Sequence, residues 1–476
     1  MFIGREDELR FFEDRYASKK AELIVLYGRR RVGKTETLRE FCKNKPHVFY
    51  SCLECSDKQQ LESFSSKILK TGISASKYVT SFSDWETAFR SMAEIPGEDN
   101  KKLVIIDEFP YMCKGNSSIP SILQSLWDET LKNENIMIVL CGSAMSFIEK
   151  ELLAEKNPLY GRATGIYKMK ELSFYDAVKF IPDYSDADKI MAYAVLGGIP
   201  HYLNQFDSSL SLDENIKQNI LTKGCILYSE IEFLLRQELR ETAIYNTIIE
   251  AVALGNTKLN DIYTKTQIEK AKISVYLNNL NELEIVEREF SISDNIKEMA
   301  NTQRGLYKLT DNFFCFWYRF VFTNYSELEN GDVTGVYEYM IKSYLSDYAS
   351  YIFEDICKEY MRALNKKNRL PFRYSKIGRW WSKTLKSTET EIDIMAVDNI
   401  SKNYIIGECK FRNKLFDMSD FNNLNSKYIP GNNDSKIYYY LFSKSGFTED
   451  VLKLRDTNDN IFTVNLPDIV NLVSDI

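Results

Sequence analysis

The chain has 476 residues, and its 68 acidic against 61 basic side chains give a net charge of −7. That length predicts roughly three domains, and the hydrophobic (44%) and charged (27%) fractions are those of a soluble globular protein. No apolar run of about 18 residues is present, so we expect no membrane partner. Nine cysteines without a disulfide framework predict a cytoplasmic protein. The acidic balance argues against a chain coated with nucleic acid but permits a local basic surface.

The most specific motif follows an apolar run at positions 23–27, which predicts a buried strand. It is the G-x-x-x-x-G-K-[ST] pattern of a phosphate-binding loop, formed by Gly28, Arg29, Arg30, Arg31, Val32, Gly33, Lys34 and Thr35. A helix is predicted from Lys34, so backbone N–H groups and the helix N-terminus face the phosphates. We expect Lys34 to contact the β- and γ-phosphates as a catalytic residue and Thr35 to bind Mg²⁺, with Glu36 completing the nucleotide-binding segment.

A second apolar run, at positions 103–106, ends in Asp107 and Glu108. Four apolar residues predict a central parallel strand buried on both faces, and α/β folds bind ligands at the carboxyl ends of such strands. Asp107 is therefore predicted to bind Mg²⁺, and Glu108 to polarise the water that attacks the γ-phosphate. The carboxylate that hydrolysis requires is present, so the pattern predicts binding and hydrolysis of ATP or GTP.

Strand-like runs at positions 23–27, 47–51, 103–106 and 136–141 alternate with helical patterns, which predicts a parallel, doubly wound sheet. The last of these runs leads into Ser143, which we expect beside the end of the Asp107 strand. Ser143 is either a γ-phosphate sensor or an ordinary turn residue. Arg162 follows in a loop, and it is either an arginine finger or a solvated loop arginine.

The middle of the chain predicts two smaller modules. Residues 173–240 are helical with a Gly-Gly-Ile-Pro break at 197–200, which suits a helical lid. Residues 241–325 predict three helices and two short strands, the order of a winged helix. Such a module often binds DNA through its third helix, but this segment is slightly acidic, whereas a duplex-binding face is basic. We therefore expect the winged helix to contact a partner protein or a second copy of the chain.

A second set of charged residues lies near the C-terminus. Two strand-like runs, 391–397 and 404–410, flank a turn-like segment, and a hairpin centred between residues 400 and 401 pairs Asp393 with Glu408. Lys410 shares the face of Glu408 because side chains alternate along a strand. Two close carboxylates repel each other unless a cation lies between them.

Asp393 and Glu408 therefore predict a Mg²⁺ or Mn²⁺ site, in which Lys410 orients an attacking water. Glu354, on a helix predicted at 341–364, adds a third carboxylate ligand. The alternative is the solvated polar face of an ordinary hairpin, because such patterns arise often by chance.

Two features favour a nuclease-like site. The predicted order of helix, three strands, helix and strand is that of a restriction-nuclease core. Ten lysines and arginines also lie between positions 358 and 386, with Glu359 as the one acidic residue and aromatic residues interleaved. A basic, aromatic-rich run suits a phosphodiester backbone, which makes DNA a candidate partner.

Together these motifs resemble a known family. The opening residues 2–9, the loop 28–35, Asp107 with Glu108, and residues 141–143, 159–162 and 197–200 resemble archaeal-type AAA+ ATPases, a group also found in bacteria. Residues 353–354, 377–381, 391–393 and 407–410 resemble the domain of unknown function 234, which follows such ATPases and is regarded as PD-(D/E)xK nuclease-like. The resemblance implies ATP as the nucleotide, in line with the absence of an Asn-Lys-x-Asp guanine reader. Ile392 stands where the nuclease motif has proline.

The predicted architecture is α/β: a P-loop ATPase core (1–172), a helical lid (173–240), a winged helix (241–325) and a nuclease-like α/β domain (335–476). Two functions remain open. In the first, ATP binding and hydrolysis move the lid and winged helix and so control a metal-dependent nuclease that acts on DNA. In the second, the chain is a nucleotide-dependent switch whose C-terminal domain binds a partner without cleaving it.

Overall fold

The computed structural model describes residues 2–97, 100–293, 305–381, 391–398, 403–427 and 435–472. The chain divides into two compact units. One is Met1–Leu172 with Ile199–His201, and the other is Ser173–Gly198 with Tyr202–Ile476. The finer division into four parts stays a prediction. Within the described residues, no helix has both the length and the apolar character needed to cross a bilayer.

A parallel five-stranded sheet, ordered β2-β3-β4-β1-β5, forms the centre of the amino-terminal unit. Its strands are β1 (Glu22–Tyr27), β2 (His47–Ser51), β3 (Lys102–Asp107), β4 (Ile136–Gly142) and β5 (Gly165–Lys168). Every residue of β1 and β4 is buried, as expected for strands covered on both faces. The predicted doubly wound sheet is confirmed, but β5 was missed because its four residues form no apolar run.

The helices of this unit follow the strands in alternation. They are α1 (Glu6–Ala17), α2 (Lys34–Cys42), α3 (Asp57–Leu69), α4 (Trp85–Arg90), α5 (Phe109–Gly115), α6 (Ile119–Glu129) and α7 (Met145–Phe147). Short 3₁₀ turns cover Ser74–Lys77, Ser91–Glu94 and Leu131–Asn133, and a π-helical turn covers Ile148–Leu152. α4 and α6 are each followed by one of the 3₁₀ segments, and α7 leads directly into the π-helical turn.

The first part of the second unit is mostly helical. Its helices are α8 (Phe174–Ala177), α9 (Asp186–Leu196), α10 (Pro200–Leu203, of which the first two residues belong to the first unit), α11 (Leu212–Ile216), α12 (Ile226–Glu238), α13 (Thr242–Ala253), α14 (Leu259–Thr266) and α15 (Lys270–Glu282). The antiparallel strands β6 (Val286–Glu289) and β7 (Leu306–Leu309) follow. Then come α16 (Asn312–Phe316), α17 (Tyr325–Glu329) and α18 (Val333–Gly335), with 3₁₀ turns at Val178–Phe180, Phe322–Asn324 and Lys342–Tyr344 and π-helical turns at Lys217–Leu221, Trp317–Val321 and Val336–Ile341.

The C-terminal part has its own α/β sheet, ordered β12-β11-β10-β9-β8. The long helix α19 (Leu345–Lys366) precedes β8 (Lys376–Trp381), β9 (Glu391–Val397) and β10 (Tyr404–Lys410), which are followed by α20 (Met418–Ser426), β11 (Ile437–Ser443), α21 (Glu449–Thr457), β12 (Ile461–Asn465) and α22 (Leu466–Val470). This is the predicted order of helix, three strands, helix and strand. α19 begins four residues later than predicted because π-helical and 3₁₀ turns precede it.

Candidate nucleotide-binding site and C-terminal charged cluster

The phosphate-binding loop joins β1 to α2 at the carboxyl edge of the sheet. Gly33 caps α2 in a left-handed conformation (φ 93°) that residues with a side chain rarely adopt. Gly28 is required for another reason, because a Cβ at this position would collide with the backbone carbonyl of Met169. The two glycines therefore permit the tight backbone path that a phosphate cradle needs.

Lys34 lies buried at the start of α2, with 6% of its surface exposed. Its Nζ donates hydrogen bonds to the carbonyl oxygens of Gly28 (2.9 Å) and Arg29 (2.8 Å). Burial lowers the pKa of Lys34 because the charged ammonium loses hydration. These acceptors are neutral, so a phosphate carrying full negative charge is a stronger partner for the same ammonium.

A contact between Thr35 and Asp107 joins the first turn of α2 to the end of β3. The Thr35 hydroxyl donates to Asp107 Oδ2 over 2.9 Å, and the backbone N–H of Glu108 donates to Asp107 Oδ1 over 3.1 Å. Mg²⁺ commonly takes one or two protein oxygens and completes its octahedron with water and phosphate oxygens. A hydroxyl and a carboxylate in contact beside the loop fit that requirement.

Glu108 and Ser143 form a second contact at this edge. The Ser143 hydroxyl lies 3.0 Å from both carboxylate oxygens of Glu108, and its backbone N–H lies 3.4 Å from Oε2. Glu108 itself has a left-handed backbone (φ 51°) at the start of α5. Ser143 therefore lies where its position after β4 predicts, and its hydroxyl holds the carboxylate predicted to polarise water.

The remaining loop residues differ in exposure. Val32 is buried and Arg31 is exposed, whereas Arg29 and Arg30 are half-buried. The Glu36 side chain is 68% exposed and contacts Arg39 at 3.2 Å on the surface of α2. Roles in nucleotide binding for these side chains stay predictions.

Arg5 supports the loop from outside the phosphate-binding motif, and it was not among the predicted site residues. Its Nη2 donates to the carbonyl oxygen of Val32 (2.6 Å), and its Nη1 donates to Glu8 Oε1 and to the carbonyl oxygen of Lys170 (both 2.8 Å). Arg5 is buried, so one guanidinium fixes the loop to the end of β5 and to α1. The one local signal is the spacing of Arg5 and Glu8, which allows an i,i+3 ion pair.

The segment Ile199–His201 also borders the loop, although we had assigned it to the lid. The atom nearest to a Cβ built on Gly33 is Pro200 Cγ, at 3.7 Å. Burial and the nearby charge of Arg31 both lower the pKa of His201. Pro200 therefore lies against Gly33, and His201 lies close enough to Arg31 to feel its charge.

Arg162 lies at the opposite edge of the sheet. It precedes β5, whose parallel pairing with β1 places the start of both strands together, and Thr164 N–H donates to Leu23 O over 2.8 Å. The Arg162 Nη2 contacts Asp128 Oδ2 at 3.1 Å beside a cavity of about 670 Å³. A strand of six residues is roughly 20 Å long, so Arg162 does not reach the phosphate-binding loop of its own chain. An arginine-finger role for Arg162 therefore requires a second copy.

The C-terminal hairpin has the predicted register. β10 pairs antiparallel with β9 from Tyr404 with Val397 to Gly407 with Ile394, which is the pairing expected for a turn centred between residues 400 and 401. The turn itself lies outside the described residues. Asp393 and Glu408 follow the last of these pairs, and the N–H of Cys409 donates to Asp393 Oδ2 over 2.8 Å.

Both oxygens of the buried Glu408 carboxylate are paired with lysines. Lys410 Nζ lies 2.5 Å from Oε1, and Lys427 Nζ lies 2.7 Å from Oε2. Lys410 shares the face of Glu408 as predicted. Lys427, just beyond α20, was missed because it lies 19 positions from Glu408 and in no recognised motif.

Glu354 completes a group of three carboxylates. Burial and the charge of Asp393 raise the pKa of Glu354, and burial and the charge of Glu408 raise the pKa of Asp393. Arg379 Nε lies 3.8 Å from Glu354 Oε2. Within the described ranges, no group of three or more histidine, cysteine, aspartate or glutamate residues is arranged to hold a metal ion. As they lie here, Glu354, Asp393 and Glu408 do not fit the predicted metal site, because their oxygens face cations and a backbone N–H.

The basic run divides between the interior and the surface. Lys358 is buried and contacts Asp355 at 2.5 Å, and Arg379 contacts Glu289 at 3.3 Å. Lys383 and Lys386 lie outside the described residues. The exposed members are Arg362, Lys366, Arg369, Arg373 and Lys376. About half of the ten basic residues predicted to contact an anionic ligand are therefore exposed.

Comparisons with known proteins agree with the prediction of an amino-terminal ATPase followed by a domain of unknown function 234. Residues 2–206 match the family described as an ATPase domain predominantly from Archaea, and residues 317–425 match domain of unknown function 234, described as archaeal and bacterial proteins of unknown function. The amino-terminal part is therefore an ATPase domain.

Individual relatives support the same family assignment. An uncharacterised protein of Methanocaldococcus jannaschii is 33% identical over 412 residues, which cover 87% of this chain and 88% of the relative. An uncharacterised ATP-binding protein of the same organism is 53% identical over 45 residues, or 10% of this chain and 76% of that protein. The structure of a Walker-type ATPase of Pyrococcus abyssi superposes with a TM-score of 0.50 at 22% identity, over 67% of this chain and 96% of that one.

We predict that Arg5→Ala weakens nucleotide binding about tenfold, because it frees the Val32 carbonyl and leaves the buried Glu8 carboxylate without its partner. Calorimetric titration with a non-hydrolysable ATP analogue measures the effect. Arg10→Ala is the matched control, since Arg10 lies on α1, the helix that begins directly after Arg5, in an exposed 3.6 Å pair with Asp7. Equal affinities for the two variants would contradict the supporting role of Arg5.

Proposed function

The chain belongs to the family of archaeal-type P-loop ATPases that carry a C-terminal domain of unknown function 234, and we propose on this premise that its ATPase cycle controls a DNA-acting C-terminal domain. The observation that carries the nucleotide part is the contact between Thr35 and Asp107 beside the loop. The observation that carries the DNA part is the set of exposed basic residues at the C-terminal end of α19 and in the segment that follows it.

In the proposed nucleotide cycle, the Lys34 ammonium leaves the Gly28 and Arg29 carbonyls for the β- and γ-phosphates of ATP. Thr35 and Asp107 would hold Mg²⁺, which supplies charge neutralisation to the phosphates when bound. Glu108 orients and polarises the attacking water, and Ser143 fixes the direction of the Glu108 carboxylate. Lys34 and Thr35 lie in the first turn of α2, and Asp107, Glu108 and Ser143 lie at or just after the ends of β3 and β4, so the proposed cycle requires no movement of the sheet.

We predict that Lys34→Ala abolishes ATP binding, whereas Glu108→Gln keeps ATP affinity within about threefold and lowers turnover by at least about a hundredfold. The amide keeps the size and the Ser143 hydrogen bond but cannot act as a base. Phosphate release and analogue titration give the two quantities separately. Unchanged turnover in Glu108→Gln would remove Glu108 from its proposed role.

For Arg162 we propose action on the nucleotide of a neighbouring copy. Arg162→Ala then lowers turnover and spares ATP affinity. Mixing Arg162→Ala with Glu108→Gln should restore turnover above the sum of the separate proteins, because each mixed contact combines an intact water-polarising site with an intact arginine. Lys132→Ala, at the same cavity, is the control. If the turnover of the mixture equals the sum of the turnovers of the two separate variants, Arg162 does not act on the nucleotide of a neighbouring copy.

The C-terminal domain is proposed to bind DNA through its exposed basic residues. Arg373→Gln with Lys376→Gln should weaken duplex binding and reduce the slope of log affinity against log salt by about 2, one for each lost phosphate contact. Fluorescence anisotropy at several salt concentrations measures both. The control is Lys453→Gln, which removes an exposed lysine from α21 in the same domain. An unchanged slope would remove these two residues from the interface.

Cleavage and binding without cleavage are distinguished by one assay. Plasmid is incubated with the protein and Mg²⁺ or Mn²⁺, with and without ATP. ATP-dependent nicking that is lost in Asp393→Ala and Lys410→Ala would support a nuclease. Binding without nicking under all conditions would support the second candidate, a nucleotide-dependent switch, which the paired state of Glu408 favours.

A further inference from the structure

The described C-terminal cluster contains a cation that the predicted nuclease motif does not include. We propose that Lys427 is a built-in counterion of Glu408 that keeps divalent cations out of the cluster, and that a divalent cation binds between Asp393 and Glu408 only when this lysine contact opens. The inference concerns the same cluster as the proposed function but makes no use of DNA cleavage.

Charge balance is the first argument. The cluster contains three carboxylates, Glu354, Asp393 and Glu408, and three cations, Arg379, Lys410 and Lys427. The pairs are Lys410 with Glu408 Oε1 (2.5 Å), Lys427 with Glu408 Oε2 (2.7 Å) and Arg379 with Glu354 Oε2 (3.8 Å). Arg379 is shared with Glu289 and Glu391, so the balance is local to Glu408. Its single negative charge faces two ammonium groups and needs no metal ion to compensate it.

Because Glu408 and Lys427 are buried, the lysine ammonium and a metal ion cannot contact the same carboxylate oxygen together. The side chains of Glu408 and Lys427 are only 7% and 13% exposed. An ammonium and a divalent cation on one carboxylate oxygen would lie within about 4 Å of each other, where two positive charges in a poorly solvated site repel strongly. Either the lysine or the metal ion therefore occupies Glu408 Oε2.

The position of Lys427 allows exchange without unfolding. Its backbone is fixed, because its N–H donates to the carbonyl oxygen of Leu424 at the end of α20. Its four-carbon side chain carries the charge, so a change of rotamer is sufficient to withdraw the ammonium. Lys410 lies on β10 beside Glu408, so its backbone is held by pairing with β11. Both backbones are therefore held, and we assign the exchange to Lys427 because it follows α20 and lies outside the sheet, whereas Lys410 is part of β10.

The test measures Mn²⁺ binding by electron paramagnetic resonance, without nucleotide and in an Asp107→Asn background that removes the carboxylate at the phosphate-binding loop. We expect Lys427→Gln to bind one Mn²⁺ at least about tenfold more tightly than the protein with Lys427, because one close positive charge is gone. Adding Asp393→Asn should abolish the gain. Lys427→Arg, which keeps the charge, should show no gain.

Lys414→Gln is the matched control, since Lys414 pairs with Asp417 at the same 2.7 Å distance but is 67% exposed. Circular dichroism verifies folding, and Lys427→Met replaces Lys427→Gln if the latter does not fold. Equally tight Mn²⁺ binding with and without Lys427, or a gain that survives Asp393→Asn, would overturn the proposal. Neither result would bear on DNA binding or ATP turnover, which are measured separately.

Discussion

The hydrogen bond from the Thr35 hydroxyl to Asp107 joins the first turn of α2, which follows β1, to the end of β3. β4 lies between β1 and β3, and the bond spans it because all three strands are parallel and end at one edge. A slip of one residue in either ladder would turn Asp107 to the other face of the sheet. Such a slip would also break the close packing of the apolar side chains on both faces of β1 and β4, so the core of this unit determines the geometry of the candidate site.

The same constraint explains the pairing of Ser143 with Glu108. Ser143 follows the strand that lies between the other two, so its hydroxyl reaches a residue that follows β3. It also explains why Arg162 lies far from the loop. A residue that precedes a parallel strand must lie at the amino edge, whereas the phosphate-binding loop lies at the carboxyl edge. The strand order therefore explains why Ser143 lies beside Glu108 and why Arg162 lies away from both.

The sequence was sufficient to predict the features that depend on residues close together in the chain. The loop 28–35 carries its own glycines, and the β9–β10 register follows from the position of the turn alone. The missed features depend on partners distant in the chain: Arg5 on the Val32 carbonyl, Pro200 on Gly33, and Lys427 on Glu408. Nothing in the pattern around Lys427 distinguishes it from the many exposed lysines. The location of Arg162 could have been deduced only if β5 had been recognised as a parallel strand.

Each of the two sites contains a buried charge, the Lys34 ammonium in one and the Glu408 carboxylate in the other, and the two charges have different kinds of partner. At the loop, the buried Lys34 ammonium is satisfied by carbonyl dipoles, so a phosphate that replaces them gains a full charge–charge interaction in a poorly solvated site. At Glu408, the carboxylate already has two full positive charges, so an incoming cation must first displace one of them. The first site is therefore ready for an anionic ligand, and the second resists a cationic one. A chain built in this way can bind nucleotide while its C-terminal carboxylates stay neutralised from within.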